Sequence, residues 1–252
     1  MNTLSQFDTL IQAALSQEFI GWDFSWLNAR TRETALPWDY RAIVRQRMHT
    51  AAALLDIGTG GGEVLASLAP LPPDTWATET YPPSAAVARI RLGPLGAQVV
   101  EVADSSQQLP FPDARFDLLI DRHAGFAARE VYRVLRPGGR FITQQVGGQN
   151  CMDLNRFFQE VPYFIYADTT LARDVRQLEE AGFHTLDQRE AFPTLTFLDI
   201  GGLVFHLKVI SFQIEDFSVE KYREKLYQIH QIIARDGGYS VKEHRYWIEA
   251  EK

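Results

Sequence analysis

The residues best equipped for chemistry in this 252-residue chain stand in one run, Leu54-Leu55-Asp56-Ile57-Gly58-Thr59-Gly60-Gly61-Gly62-Glu63. A short apolar segment enters a loop of glycines, and a helical pattern follows. Glycine lets the backbone turn sharply and approach a ligand with no Cβ in the way, and the first turn of a helix offers free amide N–H groups. Several ligands are bound by such loops, and spacing separates them. A pyrophosphate loop, G-x-G-x-x-G counted from Gly58 and Gly60, requires glycine at position 63. That position holds Glu63, whose charge at a helix start would repel pyrophosphate. No Gly-Lys-Ser/Thr follows, which removes the phosphate loop of triphosphatases as well. The pattern favours a ligand tail carrying both an amino group and a carboxylate. The methionyl end of S-adenosyl-L-methionine is such a tail, with Gly58, Thr59, Gly60 and Gly62 against it and Asp56 near its cation. The competing reading of Asp56 is a strand-end residue that bonds loop amides.

Glu79 ends the next apolar run, Trp76-Ala77-Thr78-Glu79. A carboxylate there can accept from two adjacent ribose hydroxyls, as in dinucleotide folds about 20 residues after the loop. Taken alone it would be a solvated surface acid; following this loop at this distance, it reads as a ribose partner. Farther on come Ala103-Asp104-Ser105, Leu109-Pro110-Phe111-Pro112-Asp113, Phe116-Asp117 and the run from Arg129 to Gly139. In this order, from Leu54 to Val146, these motifs resemble the class I S-adenosylmethionine-dependent methyltransferases, especially their small-molecule group. The resemblance implies S-adenosyl-L-methionine as cofactor, with Asp104 at the adenine amino group, Ser105 beside it and an apolar Leu109 near the ring. It also implies a seven-stranded sheet whose last strand is antiparallel. Two departures matter. Ala103 replaces the glycine usual before the adenine Asp, and no Asp/Asn-Pro-Pro-Tyr ends the fourth strand, which argues against methylation of planar amide or base nitrogens.

These residues need a scaffold, and the apolar pattern supplies one. Strands are expected at Ala52 to Ile57, Thr75 to Thr78, Gln98 to Ala103, Phe116 to Ile120 and Gly139 to Val146, with helices at Glu63 to Ala69, Ser84 to Leu92 and Gly125 to Leu135. Short strands alternating with helices imply a Rossmann-like, mostly parallel sheet with helices on both faces and with ligands at the strand C-termini. A helix from Leu171 to Ala181, a strand from Phe183 to Arg189, an amphipathic helix from Val219 to Ile233 and a final alternating strand at Tyr246 to Ala250 complete the pattern. One methyltransferase domain over 1–252 is expected: a helical lid at 1–50, a cofactor-binding core at 51–147, and an acceptor-side insertion with the final strands at 148–252.

Methyl transfer from a sulfonium is an in-line displacement, and a base is needed only where the acceptor must lose a proton. Asp121-Arg122-His123 ends the fourth strand on the ligand edge. Asp121 is placed with the cofactor-facing residues. His123 is the candidate catalytic residue, acting as general base or orienting the acceptor, against the plainer reading of a residue that lines the rim. Tyr40, in Pro37-Trp38-Asp39-Tyr40, is either a lid over the methionyl end or core packing.

Composition sets the remaining bounds. A net charge of −7 weighs against a phosphate-binding nucleic-acid protein. The arginines Arg30, Arg32, Arg41, Arg45 and Arg47 read as a solvated helix face. The single cysteine, Cys151, forms no internal disulfide, no His/Cys spacing points to a metal, and the apolar stretch from Leu195 to Ile210 is too short and polar to span a bilayer. A cytoplasmic enzyme acting on a small-molecule acceptor is the expectation, without nucleic acid or membrane as partner. The alternatives are methylation of RNA or protein, a non-catalytic S-adenosylmethionine-binding module and a nicotinamide-dependent oxidoreductase, the last opposed by Glu63.

Overall fold

Successive side chains of a strand point to opposite faces of its sheet, and in this chain both faces are apolar. The computed structural model describes residues 3–19, 23–103 and 108–252. In chain order it has α1 (Thr3–Ser16), β1 (Thr31–Glu33), α2 (Tyr40–Met48), β2 (Ala53–Ile57), α3 (Glu63–Ser67), β3 (Asp74–Glu79), α4 (Pro82–Leu92) and β4 (Gln98–Glu101). There follow β5 (Phe116–Arg122), α5 (Ala128–Val134), β6 (Leu135–Val146), α6 (Met152–Phe158), α7 (Leu171–Ala181) and β7 (His184–Ala191). Last come β8 (Thr194–Phe197), α8 (Ile200–Val209), α9 (Val219–Asp236), β9 (Tyr239–Lys242) and β10 (Arg245–Glu251).

The seven-stranded sheet has the order β4-β3-β2-β5-β6-β10-β7. Its first five strands are parallel, and β10 is antiparallel to both neighbours. The expected Rossmann-like sheet with an antiparallel last strand is therefore present. Leu54, Leu118, Ile120 and Trp247 pack one face against Trp38, Val44 and Met48 around α2 and against Ala88 and Leu92 of α4. Their strand neighbours Leu55, Leu119, Tyr246 and Ile248 pack the other face against α5 and α7. Gly182 stops α7 in a left-handed turn, as glycine does at a helix end.

Element boundaries shift by a few residues. The helix expected from Gly125 opens at Ala128, and the strand expected from Gly139 starts at Leu135, which pairs with Phe116 before the ladder slips across the Pro137-Gly138-Gly139 turn. A second core also forms, and it takes in Phe157 and Phe158 of an aromatic run that the sequence allows to be read either as an acceptor pocket or as a second small core. Residues from α1, α6, α8 and α9 cluster with Leu195, Phe197 and Val241 of a small antiparallel sheet, β1-β8-β9. The chain enters this region from the ends of β6 and β7 and returns through β9 to β10, so it adjoins the edge where the parallel strands end.

Ionic residues on β10 also sit inside. Glu249 is 3% exposed, beside Trp247 on the α2 face. Its Oε1 accepts from Arg47 Nε and Arg140 Nη1, each at 2.7 Å. Burial acts to raise its pKa, but the two guanidiniums outweigh burial and hold the carboxyl below its ordinary value. The stabilisation is therefore present above the unfolded carboxylate pKa of about 4.3 and is lost as pH falls through the lower folded value. Arg47 and Arg140 are about a third exposed and can rehydrate, so Glu249→Gln should cost about 1–3 kcal/mol at pH 7, less than breaking a fully buried pair. Denaturant unfolding from pH 7 to 3 should show the gap to the wild type closing on acidification; a gap independent of pH would show that the charge is irrelevant.

Candidate active site

Three carboxylates meet where β2, β3 and β5 end. Asp56 is 6% exposed, Glu79 5% and Asp121 0%. In register Asp56 lies opposite Ile120, and Ile57 lies opposite Asp121. Glu79 binds the glycine loop itself. Its Oε2 accepts from Gly60 N at 2.7 Å, and its Oε1 accepts from Thr80 N and Tyr81 N, both at 2.9 Å. A carboxylate has room for about four such bonds, so one acceptor direction remains. Thr59 N donates to Thr78 O at 2.9 Å, a second tie between loop and β3.

Gly58, Gly60 and Gly62 all have positive φ, at 66°, 61° and 80°. At Gly58 the requirement is double, because a Cβ there would stand 2.3 Å from Ala124 Cβ. Ala124 is fixed in turn by Asp121, which accepts from Ala124 N at 3.1 Å and from Gln145 Nε2 at 2.9 Å. The structure thus joins Asp56, Gly58, Thr59, Gly60, Gly62, Glu79 and Asp121 in one cluster. Asp104 and Ser105 lie outside the described residues.

The carboxylates differ in ionisation because their partners differ. Burial raises Asp56 to about 7, opposed by Thr59 and reinforced by the charge of Glu79. Burial likewise lifts Asp121 well above the carboxylate range, its bond from Ala124 N only partly countering this. Glu63 is exposed and paired with Arg91, whose guanidinium also donates to Gly61 O. Its charge is thus largely balanced, and the repulsion argued from sequence is weaker than an isolated acid would give.

The opposite wall comes from α2 and the segment before it. Asp39 caps α2 by accepting from Ala42 N, which turns Trp38 and Tyr40 inward. Both are buried, and Tyr40 packs edge-on against Trp247 at 6.0 Å. Its hydroxyl is buried without a hydrogen-bond partner and lies within the fields of Asp56, Asp121 and Arg122. Tyr40 is thus a core residue with its hydroxyl near Asp56 and Asp121.

Trp38 fixes a further group. Its indole Nε1–H can only donate and gives its proton to Gln144 Oε1 at 2.8 Å. Gln144 Nε2 must then face His123 Nε2, 3.1 Å away, as donor. His123 Nε2 is the acceptor of that bond, which puts the ring proton on Nδ1. The imidazole pKa is lowered well below its ordinary value by burial and by the nearby charges of Arg122 and Arg245, in keeping with a neutral ring. His123 and Arg122 are both reached by solvent, yet burial is the main cause of their lowered pKa values. Arg122 ends β5 and His123 follows it, on the edge where the parallel strands end. Two consecutive glutamines, Gln144 and Gln145, in an otherwise apolar strand were the one sequence signal for this arrangement.

At the same edge Arg245, the first residue of β10, lies opposite Val146 at the end of β6. It donates to Asn150 Oδ1 at 2.5 Å and pairs with Glu243, which burial raises to about 7. Several arginines before β2 have internal partners: Arg30 pairs with Asp199, Arg45 donates to Ser67 O, and Arg47 pairs with Glu249.

Residues 55–143 match a family model described as a methyltransferase domain. Among curated proteins, the demethylmenaquinone methyltransferase of Thermus thermophilus is 32% identical over 117 residues, 42% of this chain and 53% of that protein. The chain spans about half the length of that relative. Among solved structures, a candidate methyltransferase of Bacillus halodurans superposes with a TM-score of 0.61 at 20% identity, covering 84% of this chain and 98% of that one. The [4+2]-cyclase SpnF superposes with a TM-score of 0.53 at 16% identity, covering 99% and 94%. These likenesses establish the fold, and the second is a reminder that one fold carries more than one chemistry. The matched segment contains the glycine loop, all three strand-end carboxylates and His123.

Proposed function

We propose that this chain transfers the methyl group of S-adenosyl-L-methionine to a small-molecule acceptor at the strand-end edge. The observation that carries the reading is the glycine loop drawn onto buried Glu79 beside a largely protonated, buried Asp56. The residues fit the cofactor. Glu79 keeps an acceptor direction, and Tyr40 presents a buried hydroxyl with no partner among the described residues. Glu79 holds ribose hydroxyls, Asp56 ionises against the cationic methionyl end, and the amides of Gly58 to Gly62 line the tail. Asp121 contributes by holding the turn at Ala124 against Gly58. The adenine contacts fall to Asp104 and Ser105, as the resemblance implies. When bound, the cofactor supplies an activated methyl group, and the protein's task is to hold an acceptor in line with it while excluding water.

The second core, with α1, covers the acceptor side, where the chain leaves β6 and β7 and returns to β10. A small acceptor is supported by the Thermus relative, whose name gives demethylmenaquinone as its substrate. Among the described residues no helix is long and apolar enough to cross a membrane.

His123 acts as a donor that positions the acceptor. Its Nε2 lone pair is engaged by Gln144, which leaves Nδ1–H to face a ligand. His123→Ala should therefore lower turnover by about tenfold, with part of the loss in acceptor KM, rather than the 10²–10⁴-fold expected for a lost base. Ring ¹⁵N shifts in the wild type should report the Nδ1–H tautomer near neutral pH, and Trp38→Phe, which frees Gln144 to flip, should disturb it. An Nε2–H tautomer in the wild type would refute this role.

Transfer itself is tested with methyl-tritiated S-adenosylmethionine and separate pools of metabolites, RNA and protein. Label should pass to the metabolite pool and be lost with Glu79→Ala. Label confined to RNA or protein, or no transfer from a cofactor that binds, would overturn the proposed reaction.

A further inference from the structure

Arg122 has no ion-pair partner among the described residues. It is the last residue of β5, opposite Gln144, on the sheet face that also carries Arg245 and Trp247. Its guanidinium makes no hydrogen bond or ion pair with any described residue, whereas Arg245 nearby is held by Glu243 and Asn150. An unpaired arginine on an open surface is satisfied by water and needs no explanation. Arg122 differs because it ends a strand on the proposed ligand edge, next to His123 and near the buried Tyr40 hydroxyl, which has no partner among the described residues.

The fields around it are mixed. Arg41 from α2 and Arg245 from β10 repel its charge, while Tyr40 and, more weakly, Glu33 from β1 favour it. Asp56 from β2 lies within its field but is largely protonated below about pH 7. Ordinary folding logic would place a carboxylate against such a group, and the chain does not provide one. A planar oxyanion from a ligand would fit the guanidinium fork with two parallel bonds. Two further donors lie close by, the Tyr40 hydroxyl and His123 Nδ1–H.

We propose that Arg122 is the anion-binding residue of this site and receives a carboxylate, or a similar planar oxyanion, of a bound small molecule. The proposal rests on the reading of this edge as the methyl-transfer site. That chemistry has two sources at such a site: the methionyl carboxylate of the cofactor, or an acid group on the acceptor.

Calorimetry on the wild type, Arg122→Gln and Arg122→Lys separates them, with melting temperatures confirming that each variant folds. The ligands are S-adenosylhomocysteine, which carries the carboxylate, methylthioadenosine, which lacks the amino-acid tail, and benzoate added to the homocysteine complex. If the cofactor tail is the source, Arg122→Gln weakens S-adenosylhomocysteine roughly tenfold or more and leaves methylthioadenosine unchanged. If the acceptor is the source, neither nucleoside is affected, while benzoate binds the wild-type complex and not the Arg122→Gln complex. In either case Arg122→Lys should restore only part of the binding, since an ammonium lacks the fork. Equal weakening of both nucleosides would assign Arg122 to supporting the loop or Asp56 and overturn the proposal. Unchanged nucleoside binding with benzoate indifferent to the variant would overturn it as well. A wild type that binds neither nucleoside would instead refute the cofactor reading, and benzoate tested on the free protein would still decide the anion site.

Discussion

Three carboxylates packed at the ends of adjacent strands, with little water between them, set the terms for the rest of the site. Like charges in a low-dielectric space cannot all remain ionised without compensation. Glu79 is compensated by three backbone amides, one of them from the glycine loop. Burial raises the pKa of Asp56 to about 7 and lifts that of Asp121 well above the carboxylate range. The loop conformation follows from the first solution, because Gly60 is drawn onto Glu79. The close packing of Gly58 against Ala124 follows from the bonds of Asp121 to the turn after β5.

The two faces of the sheet divide the remaining work. On one, Tyr246 donates to Asp174 at 2.5 Å beneath α7, a buried bond that fastens β10 to the helical layer. On the other, α2 brings Trp38 and Tyr40 to the sheet. From there a relay of hydrogen bonds runs from indole through Gln144 to His123. The donor-only chemistry of tryptophan thereby sets the protonation of an imidazole two bonds away. The ligand edge is built from side chains whose orientations are determined by buried partners, which is what preorganisation requires.

Much of this was legible in the residues. Alternating apolar strands and helical spacing gave the parallel sheet, and the glycine spacing with Glu79 gave the cofactor-side cluster. The partners of those residues were not legible. That Glu79 would hold Gly60 depends on how closely β2 and β3 approach the loop, a distance that no spacing encodes. Glu249, read as part of a charged strand face, is buried because α2 lies over it and brings Arg47 within reach. The extent of the second core was not legible, because its strands are three or four residues long and its pieces come from both ends of the chain. Arg122 was visible as one of three polar residues at the end of β5, but only the structure shows it without a partner among the described residues.

The central claim is that the strand-end carboxylates await a cationic ligand, and proton-linked calorimetry with S-adenosylhomocysteine tests it most directly. Asp56 is raised to about 7 and is largely protonated below that pH. The ligand's ammonium favours the ionised form, so binding must expel a proton wherever Asp56 was neutral. Titrations from pH 6 to 8 in buffers of different ionisation enthalpy should show proton release that fades above about pH 7. Affinity should rise with pH over the same range, and both effects should vanish in Asp56→Asn. Binding without proton release and independent of pH, or tighter binding of NAD than of S-adenosylhomocysteine, would contradict the account.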